Sequence, residues 1–177
     1  LQPERALTYE AGLAVKFKSI EAEFLAFRQE LTDTIERRLL TPADCVLSDG
    51  FVDQACGANR APMKLVNLPG IALIAGGELS IKYQPLRSID LRTTVSYAQG
   101  EGESPNPEKA DRPPLSRIPP LNGNVEISWR FGRGFYSGAA LRWAGKQDRL
   151  SIGDMADARI PRGGTPGYVS YDLRTGF

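Results

Sequence analysis

The sequence predicts an all-β, antiparallel fold, and two observations support this prediction. Long segments alternate apolar and polar residues with the period of two that a strand with one apolar face requires. Short turns also alternate with long loops, and most alternating segments run about ten residues, which is typical of a transmembrane β-barrel. Lipid offers no hydrogen bonds, so backbone groups there must pair within a closed sheet. A soluble antiparallel sandwich remains the alternative, although its strands are usually shorter.

The clearest predicted strand covers Thr8 to Lys18, where every second residue is apolar. Tyr9, Leu13 and Phe17 share one face, while charged and small residues occupy the other. The same alternation occurs in later segments, of which the first two are joined by a short turn and predict a hairpin. These later segments are residues 71–83, 89–97, 125–131, 136–143 and 169–177.

The segment from Ile20 to Leu39 fits two interpretations. Several of its apolar residues step by three and four, which is the spacing of one helix face, and good helix formers lie between them. Its first half also alternates, because Ala22 and Phe24 are interleaved with glutamates. The local pattern favours an amphipathic helix, and a strand is the alternative. The helix-spaced residues are Ile20, Phe24, Phe27, Leu31, Ile35 and Leu39.

The connections between these segments differ greatly in length. Long ordered loops often carry function, so the long connections are the regions in which we expect a ligand to bind. The predicted short turns are residues 18–19, 84–87 and 132–134, and the predicted long loops are residues 40–64, 100–114 and 145–167.

Two cysteines lie in the first long loop. Cys45 and Cys56 are 11 positions apart in a polar segment that contains glycine. Their nearness predicts a disulfide, which would form in an oxidising compartment. Two free surface thiols are the alternative.

Composition excludes several function classes. The chain has 177 residues, with 22 basic and 21 acidic side chains, so it lacks the basic excess of a nucleic-acid binder. It has no histidine, which removes the commonest general base and metal ligand. No apolar run is long enough for a transmembrane helix. We therefore expect no catalytic residues, no metal site and no cofactor, and an enzyme is the weakest functional hypothesis.

Three further groups of residues have structural rather than catalytic interpretations. Charged residues on the polar faces of the strands are expected to solvate an interior. Asp148, Asp154 and Asp157 match no calcium-binding loop and are expected to cap loops and turns. The glycines of residues 163–167 have no following helix to hold a phosphate, so they indicate turn geometry. The inner charged set is Glu10, Lys16, Glu78, Lys82, Asp90, Arg92, Glu126, Arg130, Arg142, Asp172 and Arg174.

Several segments together resemble the TonB-dependent outer-membrane receptors. Residues 1–13, 26–35, 66–79 and 114–120 resemble successive strand entries of that family and occur in the family's order. Residues 147–168 resemble its last-loop pattern, QdrLsxxDxxDxRIPxGGTPGy, which is the most specific of these matches. The resemblance covers nearly the whole chain.

The resemblance implies an antiparallel transmembrane β-barrel segment of about seven strands, part of a larger barrel of about 22 strands. Residues 1–177 would be a partial barrel without the plug domain, and residues 20–39 would be a long strand rising into an outside loop. We expect the chain to continue on both sides, since it starts at Leu1 rather than Met and the family has further strand residues after the segment that ends at Phe177.

Members of this family are gated pores in the bacterial cell outer membrane. They bind iron–siderophore complexes, haem or other scarce nutrients, and the TonB complex drives uptake through an N-terminal part that this chain lacks. The implied partners are outer-membrane lipid, the plug and the rest of the barrel, the TonB complex and a small-molecule ligand such as a metal chelate. No loop spacing names that ligand. A soluble β-rich ligand-binding module is the competing hypothesis.

Overall fold

The computed structural model describes residues 1–40, 42–45, 63–104 and 111–177 of the chain. Within these ranges the chain forms nine strands, a 3-10 turn at Pro42–Cys45 and a single-turn helix, α1, at Ile152–Met155. The strands are β1 (Arg5–Phe17), β2 (Ile20–Thr32), β3 (Ile35–Leu39), β4 (Met63–Asn67), β5 (Ile71–Leu86), β6 (Ile89–Glu101), β7 (Asn122–Phe131), β8 (Phe135–Ala144) and β9 (Tyr168–Gly176).

The strands form one large sheet and one small ribbon. Within the described residues, seven strands pair in the order β1-β2-β5-β6-β7-β8-β9, while β3 pairs only with β4. Every pair is antiparallel. The prediction of an all-β antiparallel sheet of about seven strands is therefore confirmed. Among the described residues, no helix is both long and apolar enough to cross a membrane.

The register gives the sheet two chemically different faces. Directly paired residues share a face, so Leu13, Phe24 and Leu79 form one apolar row across three strands. Leu13 is 66% exposed and Phe24 is 51% exposed, so this face is uncovered in the chain alone. On the opposite face, the row that begins with Lys16 and Glu21 and continues to Lys82 is charged. The apolar face is called the outer face below, and the opposite face is called the inner face.

The local helix prediction for Ile20 to Leu39 is wrong, because the segment forms β2 and β3. All thirteen residues of β2 pair with β1 on one side and β5 on the other, which satisfies its backbone groups on both edges. Phe24 lies on the outer face, whereas Phe27 and Leu31 lie on the inner face. The apolar residues of this segment thus lie on both faces of the sheet, and their combined spacing resembles that of one helix face. Asp33, at φ 58°, separates the two strands. The strand implied by the family resemblance is confirmed.

The edges of the large sheet are open. Among the described residues, β1 and β9 each have one neighbour, so this part of the chain does not close into a barrel. Every residue of β1 is exposed, and Tyr171 and Leu173 on β9 are 74% and 85% exposed. An exposed edge with an apolar face is a site for pairing with further strands.

Short turns lie at one end of the sheet and long loops at the other. The predicted turn of residues 84–87 is tighter in the structure, where β5 continues to Leu86 and β6 begins at Ile89. Adjacent hairpins are joined by backbone hydrogen bonds of 2.8 Å, from Gln84 N–H to Ser19 C=O and from Arg130 N–H to Ser88 C=O. The three turns therefore form a continuous rim.

The long-loop end holds the buried hydrophobic residues of the described chain. Leu68, Ala72 and Leu115 are 5%, 0% and 5% exposed. Gly102 permits this packing, because a Cβ there would lie 2.7 Å from Leu68 Cδ1. The β3–β4 ribbon, whose second strand lies partly in the predicted loop of residues 40–64, rises from the same end. Partly buried side chains that pack on this core are Leu31, Ile74 and Ile118.

Candidate ligand-binding site at the long-loop end

The inner face is a wall of charged side chains, as the sequence predicted. Arg92 pairs with Asp90 at 2.9 Å and Arg142 pairs with Asp172 at 3.2 Å, between side chains that are exposed or partly exposed. Exposed ion pairs of this kind stabilise a fold little, so their main effect is to keep the inner face polar. The register places the whole predicted set on this face, namely Glu10, Lys16, Glu78, Lys82, Asp90, Arg92, Glu126, Arg130, Arg142, Asp172 and Arg174.

A groove of about 590 Å³ lies between the inner face of β6 to β9 and the long loops. The sheet contributes Thr94, Asn124 and Arg142, and the loops contribute apolar residues that include Ile118 and Leu150. Thr94 Oγ1 donates a hydrogen bond of 2.9 Å to Asn124 Oδ1, which orients that amide. A cavity of this volume with a few convergent polar groups is typical of a small-molecule site. We therefore take this groove as the candidate ligand-binding site.

Hydrogen bonds join the three long loops beside the groove. The carboxylate of Glu36, on β3, accepts hydrogen bonds from the backbone N–H and the hydroxyl of Ser116, both at 2.9 Å. Ser116 Oγ lies 2.8 Å from Ser151 Oγ. Because the Ser116 hydroxyl proton goes to Glu36, the Ser151 hydroxyl donates across this second contact. One partly buried chain of hydrogen bonds thus connects one residue from each of the three long connections between strands of the large sheet, which run from β2 to β5, from β6 to β7 and from β8 to β9. We call this chain of hydrogen bonds the loop link.

The loop link continues into α1. Ser151 is the N-cap of this helix, and its Oγ accepts a hydrogen bond of 3.0 Å from Asp154 N–H. Asp154 Oδ2 accepts in return from the Ser151 N–H at 3.4 Å and from the Arg117 N–H at 3.3 Å. Both side chains are buried, at 3% and 6% exposed. The predicted capping role of Asp154 is confirmed, and the cap is tied to the second long loop.

Asp157, in the third long loop, contacts two arginines. Its Oδ1 accepts hydrogen bonds from the Arg159 N–H at 3.0 Å and from Arg159 Nε at 2.9 Å. A guanidinium nitrogen of Arg117 lies 3.7 Å from Oδ2. The side-chain hydrogen bond from Arg159, followed by the backbone one, holds the pKa of Asp157 far below its usual range. The same contact raises the pKa of Arg159. Asp157 therefore orders a turn, as predicted.

The glycine-rich stretch before β9 closes the third long loop by tight backbone approach. Gln147 and Thr165 exchange backbone hydrogen bonds of 2.9 Å in both directions. Gly164, at φ 97°, is buried against the carbonyl of Gln147, where a Cβ would clash. Gly163 also has a positive φ of 86° but faces open space. The prediction that these glycines serve turn geometry is confirmed.

The predicted disulfide falls at the limit of the described residues. Cys45 ends the 3-10 turn at Pro42–Cys45, and the neighbouring Asp44 pairs with Arg38 at 2.7 Å. Cys56 lies outside the described residues. The pairing of Cys45 with Cys56 stays a prediction.

Sequence reasoning found some of these residues and missed others. It identified Asp154 and Asp157 but not their partners Ser116, Ser151 and Glu36. Ser151 was readable, because a serine three positions before an aspartate is the signature of a capping box. Within the described ranges, no three acidic or cysteine side chains gather closely enough to hold a metal ion. The site as described offers charge and hydrogen bonding to a ligand.

Two solved structures share this fold over nearly the whole chain. One is a copper transporter, OprC, with a TM-score of 0.68 and 20% identity, covering 97% of this chain and 22% of that one. Another is the FrpB iron transporter from Neisseria meningitidis in its apoprotein form, with a TM-score of 0.65 and 17% identity, covering 96% of this chain and 23% of that one. The chain thus spans less than a quarter of either structure. No curated protein sequence matches it.

A family comparison covers every residue. The family described as "TonB dependent receptor-like, beta-barrel" matches residues 1–177. Its match agrees with the open antiparallel sheet, the two chemically distinct faces and the long-loop end. The chain belongs to the TonB-dependent receptor family and forms part of its β-barrel.

Proposed function

We propose that this chain is part of the wall of a bacterial outer-membrane transporter that takes up a scarce nutrient. The observation that carries the proposal is the sheet itself, which is exposed and apolar on its outer face, charged on its inner face and open at both edges. An exposed apolar face of this extent has a lower free energy in contact with lipid than in contact with water. Open edges are satisfied by the remaining strands of a closed barrel of about 22 strands.

Family membership supports the energy source and the partners. A receptor of this family is driven by the TonB complex through a part that lies outside this chain. The charged inner face offers polar contacts to a plug domain inside the barrel. The fold neighbours are named as transporters of copper and iron, which favours a metal or metal chelate as cargo, with an iron–siderophore complex or haem as our first choice.

The groove between the inner face and the long loops is the part of this chain that we assign to the cargo. It lies at the end of the sheet that faces outside in a barrel with short periplasmic turns. Arg142 and Asn124 supply a cation and an amide there, which suit the oxygen atoms of a chelate. The loop link holds the three loops in place around it.

Spin labels placed along β2 in the intact protein test the membrane assignment directly. Labels at Ala22, Phe24 and Ala26 should be relaxed by oxygen, which partitions into lipid, whereas labels at Glu21 and Glu23 should be shielded from it. The alternation should have a period of two. A soluble β-rich protein would be extracted without detergent, and its labels would show no preference for oxygen. Either result overturns the proposal.

Uptake by cells tests the cargo. Cells that depend on the intact protein should accumulate radioactive iron supplied as a ferric siderophore or as haem, and cells without the TonB complex should not. If the cells take up only copper in a TonB-dependent way, the transport function stands and copper replaces iron as the cargo. Unchanged uptake in cells that lack the protein would refute the transport function for these cargoes.

A further inference from the structure

The three short turns carry an unusual charge pattern. Each contains one basic residue and no acidic one, namely Lys18, Arg87 and Arg133. All three are exposed, and none of them forms an ion pair with any residue that the structure describes. These three residues are called the cationic rim. Its charge is uncompensated, because the nearby acidic residues have other partners.

Those acidic residues belong to the inner face. Glu21 is paired with Lys16, and Asp90 is paired with Arg92 at 2.9 Å. Glu126 is paired with Arg174. The carboxylates nearest to the turns are thus neutralised on the inner face, and the turns keep a net positive charge.

The backbone holds the cationic rim together. Hydrogen bonds between neighbouring hairpins join Gln84, near the end of β5, to Ser19 and Arg130, near the end of β7, to Ser88, each at 2.8 Å. The Arg130 side chain also donates to the Arg87 carbonyl at 3.1 Å. Adjacent hairpins are about 10 Å apart, since each adds two strands at the usual spacing. Three cations in a row at this spacing present an extended positive surface.

The outer face next to the cationic rim is aromatic. Phe17, Trp129 and Phe135 are 63%, 51% and 49% exposed. Phe131 joins Trp129 to Phe135, with ring centroids 4.7 Å and 6.1 Å away. Lys18 Nζ lies 5.2 Å from the Phe17 ring centroid, so this cation is adjacent to the aromatic band. Exposed aromatic bands lie at the level of lipid headgroups in membrane proteins.

The opposite end of the sheet mixes paired and unpaired cations within the described residues. Several loop cations there are paired with carboxylates, as Arg38 is with Asp44 at 2.7 Å and Lys146 is with Asp148 at 3.4 Å. The two ends therefore offer different chemistry to a membrane surface. At the short-turn end, none of the three turn cations has an ion-pair partner among the described residues, and Lys18 lies beside the aromatic band.

We propose that the cationic rim binds the phosphate groups of anionic phospholipids in the leaflet that borders the short turns. This inference rests on the proposed function, because it requires the outer face to lie in lipid. Each basic residue near an anionic surface strengthens attraction about fivefold, so three together select anionic over zwitterionic lipid. The contact would anchor the short-turn end at a fixed depth.

Quenching of Trp129 by brominated lipid tests the proposal in the intact protein. The protein is reconstituted in vesicles that contain brominated phosphatidylglycerol or brominated phosphatidylcholine, and the Trp129 signal is taken as the difference from a Trp129→Phe variant. Brominated phosphatidylglycerol should quench Trp129 more than brominated phosphatidylcholine does. In a Lys18→Gln/Arg87→Gln/Arg133→Gln variant, this preference should fall about fivefold or more. An Arg112→Gln/Lys146→Gln/Arg162→Gln variant, which removes the same charge from the long loops, should keep it.

The possible outcomes separate this inference from the function beneath it. Equal quenching by both lipids, or equal loss of preference in the two triple variants, would overturn the lipid site while leaving the barrel intact. Turn substitutions that abolish binding of an acidic soluble protein but not the lipid preference would also overturn it. Absence of quenching by either lipid would show that Trp129 is outside the bilayer, and the membrane assignment would fall with the inference.

Discussion

The sheet and its long-loop end are stabilised by opposite means. Across the seven strands, backbone pairing supplies the structure and the apolar outer face remains exposed, with Leu13 at 66%. At the long-loop end the chain instead buries a small apolar core and a polar link that includes Ser151, which is 3% exposed. The sheet therefore needs another surface to cover its outer face, which we propose to be lipid, whereas the loop end folds against itself.

The largest effect is expected from a charge on the outer face. Leu79→Arg in the intact protein should lower the free energy of unfolding in lipid by about 2–4 kcal/mol, because the charge would enter the bilayer. Ser80→Arg, one position along on the inner face, is the matched control and should cost far less. Denaturant unfolding from vesicles measures both. Equal costs would mean that the two faces do not differ in their surroundings.

A smaller loss of stability is expected from adding a side chain at Gly164, where the third long loop closes. Gly164→Ala adds a Cβ that clashes with the Gln147 carbonyl at a positive φ, whereas Gly163→Ala adds the same group at a positive φ facing open space. The control should cost about 1–2 kcal/mol, and Gly164→Ala should cost more. Thermal unfolding and limited proteolysis of residues 145–167 measure the difference. Equal sensitivity of both variants would show that the close approach is absent.

The loop link predicts a coupling between distant residues. Replacing Glu36 by Gln and Ser116 by Ala, singly and together, should give a coupling energy of about 1–2 kcal/mol, since the hydrogen bonds involve a carboxylate and are partly buried. The exposed pair Lys146 and Asp148, 3.4 Å apart, is the control and should give less than about 0.5 kcal/mol. Protease resistance of the long loops reports both cycles. No excess coupling for the first pair would exclude the link.

The smallest effect is expected from acidification, which should loosen the third long loop. The pKa of Asp157 is lowered in the fold, so its contribution is complete above the unfolded value of about 3.9 and is lost only as pH falls through the still lower folded value. The third loop should therefore resist change from about pH 7 to pH 5 and loosen on further acidification. Pepsin cleavage near Asp157 at about pH 4 and pH 2 measures this loosening. An Asp157→Asn variant should show less of that change, and loosening already at pH 5 would contradict the pairing with Arg159.

The sheet was more predictable from sequence than the loop end. Residues such as Tyr9, Leu13 and Phe17 alternate because each strand has one environment per face, and a period of two records that directly. Phe27 and Leu31 led to the wrong helix prediction for their segment, because their apolar contacts lie on the face that is otherwise polar. Only pairing with β1 and β5, which local pattern does not contain, decides their structure.

The candidate site depends on contacts that sequence distance hides. Ser116 meets Glu36 across 80 positions and Ser151 across 35 positions. No period or short motif connects them. By contrast, Ser151 with Asp154 is a local capping signature, and the glycines before β9 indicate tight turns. The helix cap and the tight turns could thus be predicted from sequence, whereas their assembly around the groove depends on contacts that only the fold brings together.

The β3–β4 ribbon has a consequence for the order in which the sheet forms. Most neighbouring strands are joined by hairpins or by a single loop, but β2 and β5 are separated by residues 33–70 and are paired only after that segment folds back. The ribbon brings Ile35 opposite Asn67, close to the start of the Thr32 and Ile71 pairing. Once it forms, the remaining loop-closure entropy for β2 and β5 is small. Breaking the ribbon should therefore slow folding more than shortening the segment between β3 and β4, and refolding kinetics into vesicles would show the difference.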